Sequence, residues 1–175
     1  MSYLNSLLKK VNDAIAKVEV VLIAAFMGLL VLIMVAQVAL RYLFNSPLFW
    51  AEEISLQLLI LITFFGVSYL TYKRNLLQVD LLQAYISGGL KKVVDLFLVI
   101  LNFVLLAFLA YLYINWVTDP MVQADVSGTT GLPRWYNYGV AAVAICFMAF
   151  HQFNNVLYVL FNKNQGKQTE AAGLI

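Results

Sequence analysis

Four long apolar blocks, separated by short polar stretches, organise the chain. They run over about 20–40, 54–72, 93–117 and 136–161. A helix rising about 1.5 Å per residue needs roughly 20 such residues to cross a hydrocarbon core. The pattern predicts an all-α integral membrane fold with four transmembrane helices. Ser46-Pro47 is a favourable helix start, because serine can cap and proline suits the first helical position. The second span is therefore placed at 47–72. The first block is too long for a signal-peptide core of roughly 7–15 residues and runs directly into Arg41-Tyr42, so it reads as a retained span.

The polar stretches add elements at one membrane surface. Within residues 3–18, Leu4, Leu7, Leu8, Val11, Ile15 and Val18 form one apolar stripe. Asn5, Lys9, Lys10, Asp13 and Lys17 occupy other faces. This predicts an amphipathic helix over 1–19 lying on the inner leaflet. A second inner-surface helix is expected over 76–86, ahead of Gly88-Gly89. Residues 162–175 are polar or small and read as a flexible tail, which leaves 20–161 as the four-span membrane domain.

Composition narrows the class. Hydrophobic residues make up 63% and charged residues 11%, against about 25% charged in soluble domains. The net charge of +2 and the lack of a basic, aromatic-interleaved tract give no nucleic-acid surface. Cys146 is the only cysteine and His151 the only histidine. Intrachain disulfides, cysteine metal clusters and bis-histidine haem ligation are thereby excluded within one chain. Lys9, Lys10, Lys17, Lys73, Arg74, Lys91, Lys92, Lys163 and Lys167 fall on one side of a four-span topology, against Arg41 and Arg134 on the other. The positive-inside rule then puts both termini in the cytoplasm. Trp50, Trp116 and Trp135 fall at the outer ends of spans, where indole rings are favoured.

Chemistry is sparse. The most informative stretch is RYLFNSPLFWAEE, residues 41–53. Glu52 and Glu53 follow a helix start, which the macrodipole favours, yet they approach hydrocarbon, where charge is costly. Adjacent residues project about 100° apart, so the two carboxylates cannot share a direction. Trp50, Glu53 and Gln57 share a face, and Glu52 can reach Arg41. Three readings stand: a capped and solvated rim, a subunit contact, or paired carboxylates in ion coupling. Lys91 and Asp95 suit an i, i+4 ion pair, and Asp80 suits a solvated face or pairing with Lys73 or Arg74. His151, Asn154, Asn155 and Tyr158 share one face of the last span, as a satisfied polar patch near the headgroups or a contact to a subunit or lipid. Gln37, Gln57, Asn102 and Asn115 are candidates for interhelical hydrogen bonds. Ala24 and Gly28 make a weak small-xxx-small pair. The loop from Thr118 to Trp135 is long enough to be a partner contact or a passive link. No sequence motif of hydrolases, nucleotide binders, zinc proteases or redox dithiols is present. The residues indicate no enzyme, no catalytic or metal site and no cofactor.

Three stretches resemble a known family. RYLFNSPLFWAEE is similar to a pattern of R-Y followed by N-x-P-x-x-W-x-E-E between the first two spans. Gly66 is followed by the basic turn Lys73-Arg74 and by Val79-Asp80, and TTGLPRWYNY opens the fourth span. Together they resemble the small, DctQ-like membrane subunit of tripartite ATP-independent periplasmic (TRAP) transporters, over about residues 18–161, most nearly those of sialic acid systems. The family often has a histidine shortly before the V-D pair. Leu76 and Leu77 stand there, so that histidine's role does not carry over.

The resemblance implies a non-catalytic scaffold in a bacterial inner membrane. Its partners would be a large elevator-type subunit holding the substrate and sodium sites, a periplasmic binding protein and membrane lipids. It would serve uptake of an organic acid, sialic acid being the expected one. Arg41, Trp50, Glu52, Glu53, Gln57, Arg134 and Trp135 are then the candidate partner interface. Two other classes compete. A self-sufficient small exporter would want a carboxylate near mid-span. A haem-binding anchor would want a second histidine.

Overall fold

The computed structural model describes residues 2–73 and 89–161. It contains α1 (Ser2–Leu43), α2 (Phe49–Tyr72), α3 (Gly89–Val117), a single turn α4 (Pro120–Gln123) and α5 (Trp135–Phe161). Four of these helices are long and apolar enough to cross a membrane. The expected surface helix over 76–86 and the tail from 162 lie outside the described residues. So do Arg74 and Asp80 and the side chains of Lys91, Lys92 and Asp95.

The N-terminal segment differs from expectation. Residues 1–19 and 20–40 were expected as two elements, but α1 runs through both without a break. Its 42 residues extend about 63 Å, twice a hydrocarbon core. The side that packs inward is the polar one. Asn12, Ala16 and Glu19 are buried, whereas Leu7, Val11 and Val18 from the expected apolar stripe remain exposed. Polar partners on neighbouring helices draw the polar face inward, and the apolar face is left for lipid.

The start of α2 also shifts. Its N-cap is Leu48, with no side-chain cap, so Ser46 does not cap the helix. The chain uses 44–47 to reverse direction. Asn45 takes the left-handed conformation (φ 50°), which asparagine tolerates, and the Ser46 N–H returns to the Leu40 carbonyl. Pro47 has no N–H and cannot extend α1.

The helices pack as an open row, α1–α2–α5–α3, with a further contact between α1 and α5. The two middle helices carry the contact stripes. α2 buries Ala51, Ser55, Leu58, Leu61, Phe65, Ser68 and Thr71, a repeat of three and four residues. On α5, Ala141, Ala144, Ile145 and Met148 make up the matching apolar stretch. Small residues on these stripes let backbones approach, which drives helix association in lipid. Phe65 fills the wider gap against Phe26, ring centroids 6.1 Å apart. The flanking helices α1 and α3 expose most of their large apolar side chains, as bilayer-facing helices do. Ala24 and Gly28 are exposed, and nothing lies within 4 Å of a side chain built on Gly28, so the glycine makes no helix contact among the described residues.

Candidate functional site

Polar side chains gather at two places in this row. The first is the end of the bundle where α2 starts, α3 stops and α5 starts. Trp50, Trp116 and Trp135 all sit there and all are exposed. Trp116 stacks at a tilt on Tyr138, 4.9 Å between centroids.

The loop between α3 and α5 folds back over this end. Asp119 caps α4 by accepting from the Met121 N–H at 2.8 Å. A bridge joins Val126 to Pro133, and Gly131 closes the turn at φ 67°, where a side chain would be strained. Glu53 is what this turn closes upon. Its carboxylate accepts from the hydroxyls of Ser127 and Thr129 and from Arg134 Nη2 at 3.3 Å. Arg134 also faces Asp125 at 3.6 Å, and Tyr138 donates to the same Asp125 carboxylate at 3.2 Å. Asp125 first, and then Glu53, raise the Arg134 pKa further above its usual range. One turn along α2, Gln57 accepts from the Tyr136 hydroxyl at 2.8 Å.

The expected interface residues therefore divide into two sets. Glu53, Gln57 and Arg134 are half-buried and tie the loop and α5 to α2. Arg41, Trp50, Glu52 and Trp135 are exposed at the same end. Glu52 and Glu53 do point apart. Glu52 accepts from Gln37 Nε2 at 3.2 Å, where a bond from Arg41 had been expected. α1 brings Gln37 alongside the first turn of α2, whereas Arg41 lies a further turn along. Asn115 donates to the Tyr111 carbonyl of its own helix, so this candidate for interhelical bonding is used locally.

The second place lies near the other end and was only partly foreseen. His151 is fully buried between α1, α2 and α5. Its Nδ1 lies 2.6 Å from Asn12 Oδ1 and its Nε2 lies 3.2 Å from Glu19 Oε2. The Tyr72 ring packs against the imidazole at 5.4 Å, and the Tyr72 hydroxyl donates to Asp13 at 2.9 Å. Gln152 donates to the Val99 carbonyl of α3, and Asn155 to the Thr71 carbonyl of α2. The cluster thus reaches all four long helices. The patch expected on α5 splits: His151 and Asn155 turn inward, Tyr158 is exposed, and Asn154 bonds the Phe150 carbonyl one turn back. Glu19 was missed altogether. Its signal is a lone carboxylate between Val18 and Val20, which the boundary drawn at 19 removed from the apolar block.

Chemically, the cluster is suited to holding helices. The imidazole bridges an amide oxygen and a carboxylate oxygen of α1, both on buried side chains, and so clamps α1 to α5. Glu19 Oε1 and Ser68 Oγ are buried without a hydrogen-bond partner among the described residues. No group of three or more His, Cys, Asp or Glu side chains able to hold a metal occurs among the described residues.

Four unbroken spans, cross-linked by polar side chains bonded within the chain, define a multi-pass helical membrane protein built for packing. The model for the DctQ component of tripartite ATP-independent periplasmic transporters matches residues 30–162. The chain belongs to that family, a transporter component. It is also similar to the sialic acid TRAP transporter permease protein SiaT of Haemophilus influenzae (strain 86-028NP), with 26% identity over 116 residues. That match covers 66% of this chain and 19% of SiaT, so the chain corresponds to about a fifth of that relative's length.

Proposed function

We propose that this chain is the small, non-transporting scaffold subunit of a TRAP importer for an organic acid. Its partners are a large elevator-type subunit, which carries the substrate and sodium sites, and a periplasmic binding protein. Sialic acid is the favoured substrate, because the similar SiaT is a sialic acid permease. The chain sits in a bacterial inner membrane with both termini cytoplasmic, as its Lys and Arg distribution favours. The tryptophan end then faces the periplasm.

The family match over 30–162 carries this reading. The helices support it. Transport sites in secondary transporters are typically built from discontinuous helices at mid-membrane. Here α1, α2, α3 and α5 each continue through the span region.

Reconstitution tests the reading. Liposomes holding the purified chain alone should show no sodium-driven sialic acid uptake, and adding the large subunit and binding protein should restore it. Uptake by the chain alone would sink the scaffold assignment. We further assign Arg41, Trp50, Glu52 and Trp135 to the partner edge, with Glu53, Gln57 and Arg134 bracing it from inside. An exposed tryptophan is a frequent anchor of interfaces. Trp50→Ala should therefore weaken association with the large subunit by about tenfold, read by co-purification. Unchanged recovery together with unchanged uptake would remove Trp50 from the interface.

A further inference from the structure

One charged helix face lies outside every contact described so far. Asn12, Ala16 and Glu19 turn inward and fix the rotation of α1. At about 100° per residue, Val11, Ala14, Val18 and Val21 then form one exposed stripe, with Lys10 and Lys17 along one edge. Neither lysine forms an ion pair among the described residues. The acid nearest to them on α1, Asp13, accepts from Tyr72.

Helix lengths set the depth of this face. From Trp50 to Tyr72, α2 advances about 33 Å, close to the roughly 30 Å of a hydrocarbon core. With Trp50 at one interface, Tyr72 and its partner Asp13 lie at the other. Lys10 and Lys17 are three residues before and four residues after Asp13, within about 6 Å along the axis. Both ammonium groups are therefore at headgroup depth, while Val18 and Val21 continue into the hydrocarbon. Ala14 leaves room on the stripe between them.

We propose that this face is a docking site for an anionic phospholipid. Its headgroup phosphate is held by Lys10 and Lys17, and an acyl chain runs along Ala14, Val18 and Val21. Two cations with no ion-pair partner among the described residues, beside an apolar track, favour an anionic amphiphile over a zwitterionic one, whose own ammonium already offsets its phosphate. The inference needs four-span insertion but does not depend on the scaffold role, which the uptake experiment tests separately.

The full chain, purified in detergent, should be titrated with phosphatidylglycerol and phosphatidylcholine of identical acyl chains and followed by native mass spectrometry. Phosphatidylglycerol should be retained on the order of tenfold better. The Lys10→Gln/Lys17→Gln double variant should bring the ratio close to one. Lys9→Gln should leave it unchanged, because Lys9 is exposed on the side of α1 away from the stripe. Equal retention of both lipids by the native chain overturns the proposal, whether or not the variants can be purified. A loss with Lys9→Gln as large as that of the double variant also overturns it, since the effect would then be one of net charge.

Discussion

His151→Ala should lower the unfolding free energy by about 1–3 kcal/mol, because it leaves buried polar atoms of Asn12 and Glu19 without their partner. The imidazole is fully buried between Asn12 and Glu19, and Glu19 is itself fully buried with one oxygen already unpartnered. Removing the ring leaves Asn12 Oδ1 and Glu19 Oε2 buried with neither solvent nor that partner. Removing both partners should be far milder. A Glu19→Leu/His151→Leu variant replaces the pair by apolar volume, a change that is often neutral or even stabilising. Denaturant unfolding in micelles, followed by circular dichroism, measures both variants. A single variant no worse than the double would show that the pair contributes no strong coupling.

Glu53→Ala should release the loop at the other end while leaving the bundle folded. It removes at once the acceptor shared by Ser127, Thr129 and Arg134. Hydrogen bonds to a charged acceptor are stronger than those between neutral groups. Their joint loss at this partly exposed site should speed amide exchange over 125–134 on the order of a hundredfold. The Gly131 and Arg134 amides, bonded to the Ser127 and Asp125 carbonyls at 3.0 and 2.9 Å, report it directly. Glu53→Gln keeps the acceptor but not the charge and should fall between. Exchange unaltered in Glu53→Ala would mean that the backbone bonds alone hold the turn.

The four spans were legible because lipid imposes a length and an apolar composition on any helix that crosses it. The divergence of Glu52 and Glu53 was legible from helical geometry alone. The inward face of α1 was not. Leu7, Val11 and Val18 make the conspicuous stripe, and in water that stripe would turn inward. In a membrane, lipid solvates it as well as a protein core does, so the choice of face passes to Asn12 and Glu19 and their partner on α5. Hydropathy says nothing of partners that lie 132 and 139 residues away. The role of Glu53 was half legible. Its position marked it, but the hydroxyls that meet it come from a loop whose fold depends on Gly131 and on the Val126–Pro133 bridge.

The open row has a mechanical meaning. With α1 and α3 at its ends and α2 and α5 between, the molecule is a broad, shallow wall, thickened only where α1 also meets α5 around His151. At 8–10 Å between neighbouring axes, four helices give a width of about 30 Å. A closed cylinder of the same helices would meet a neighbour along one narrow seam. A wall can lie broadside against a larger body, and it adds breadth to that body in the plane of the bilayer at the lowest cost in chain length. Drag in a viscous sheet grows with breadth, so whatever is fastened to such a wall is steadied against recoil when another part of the assembly moves.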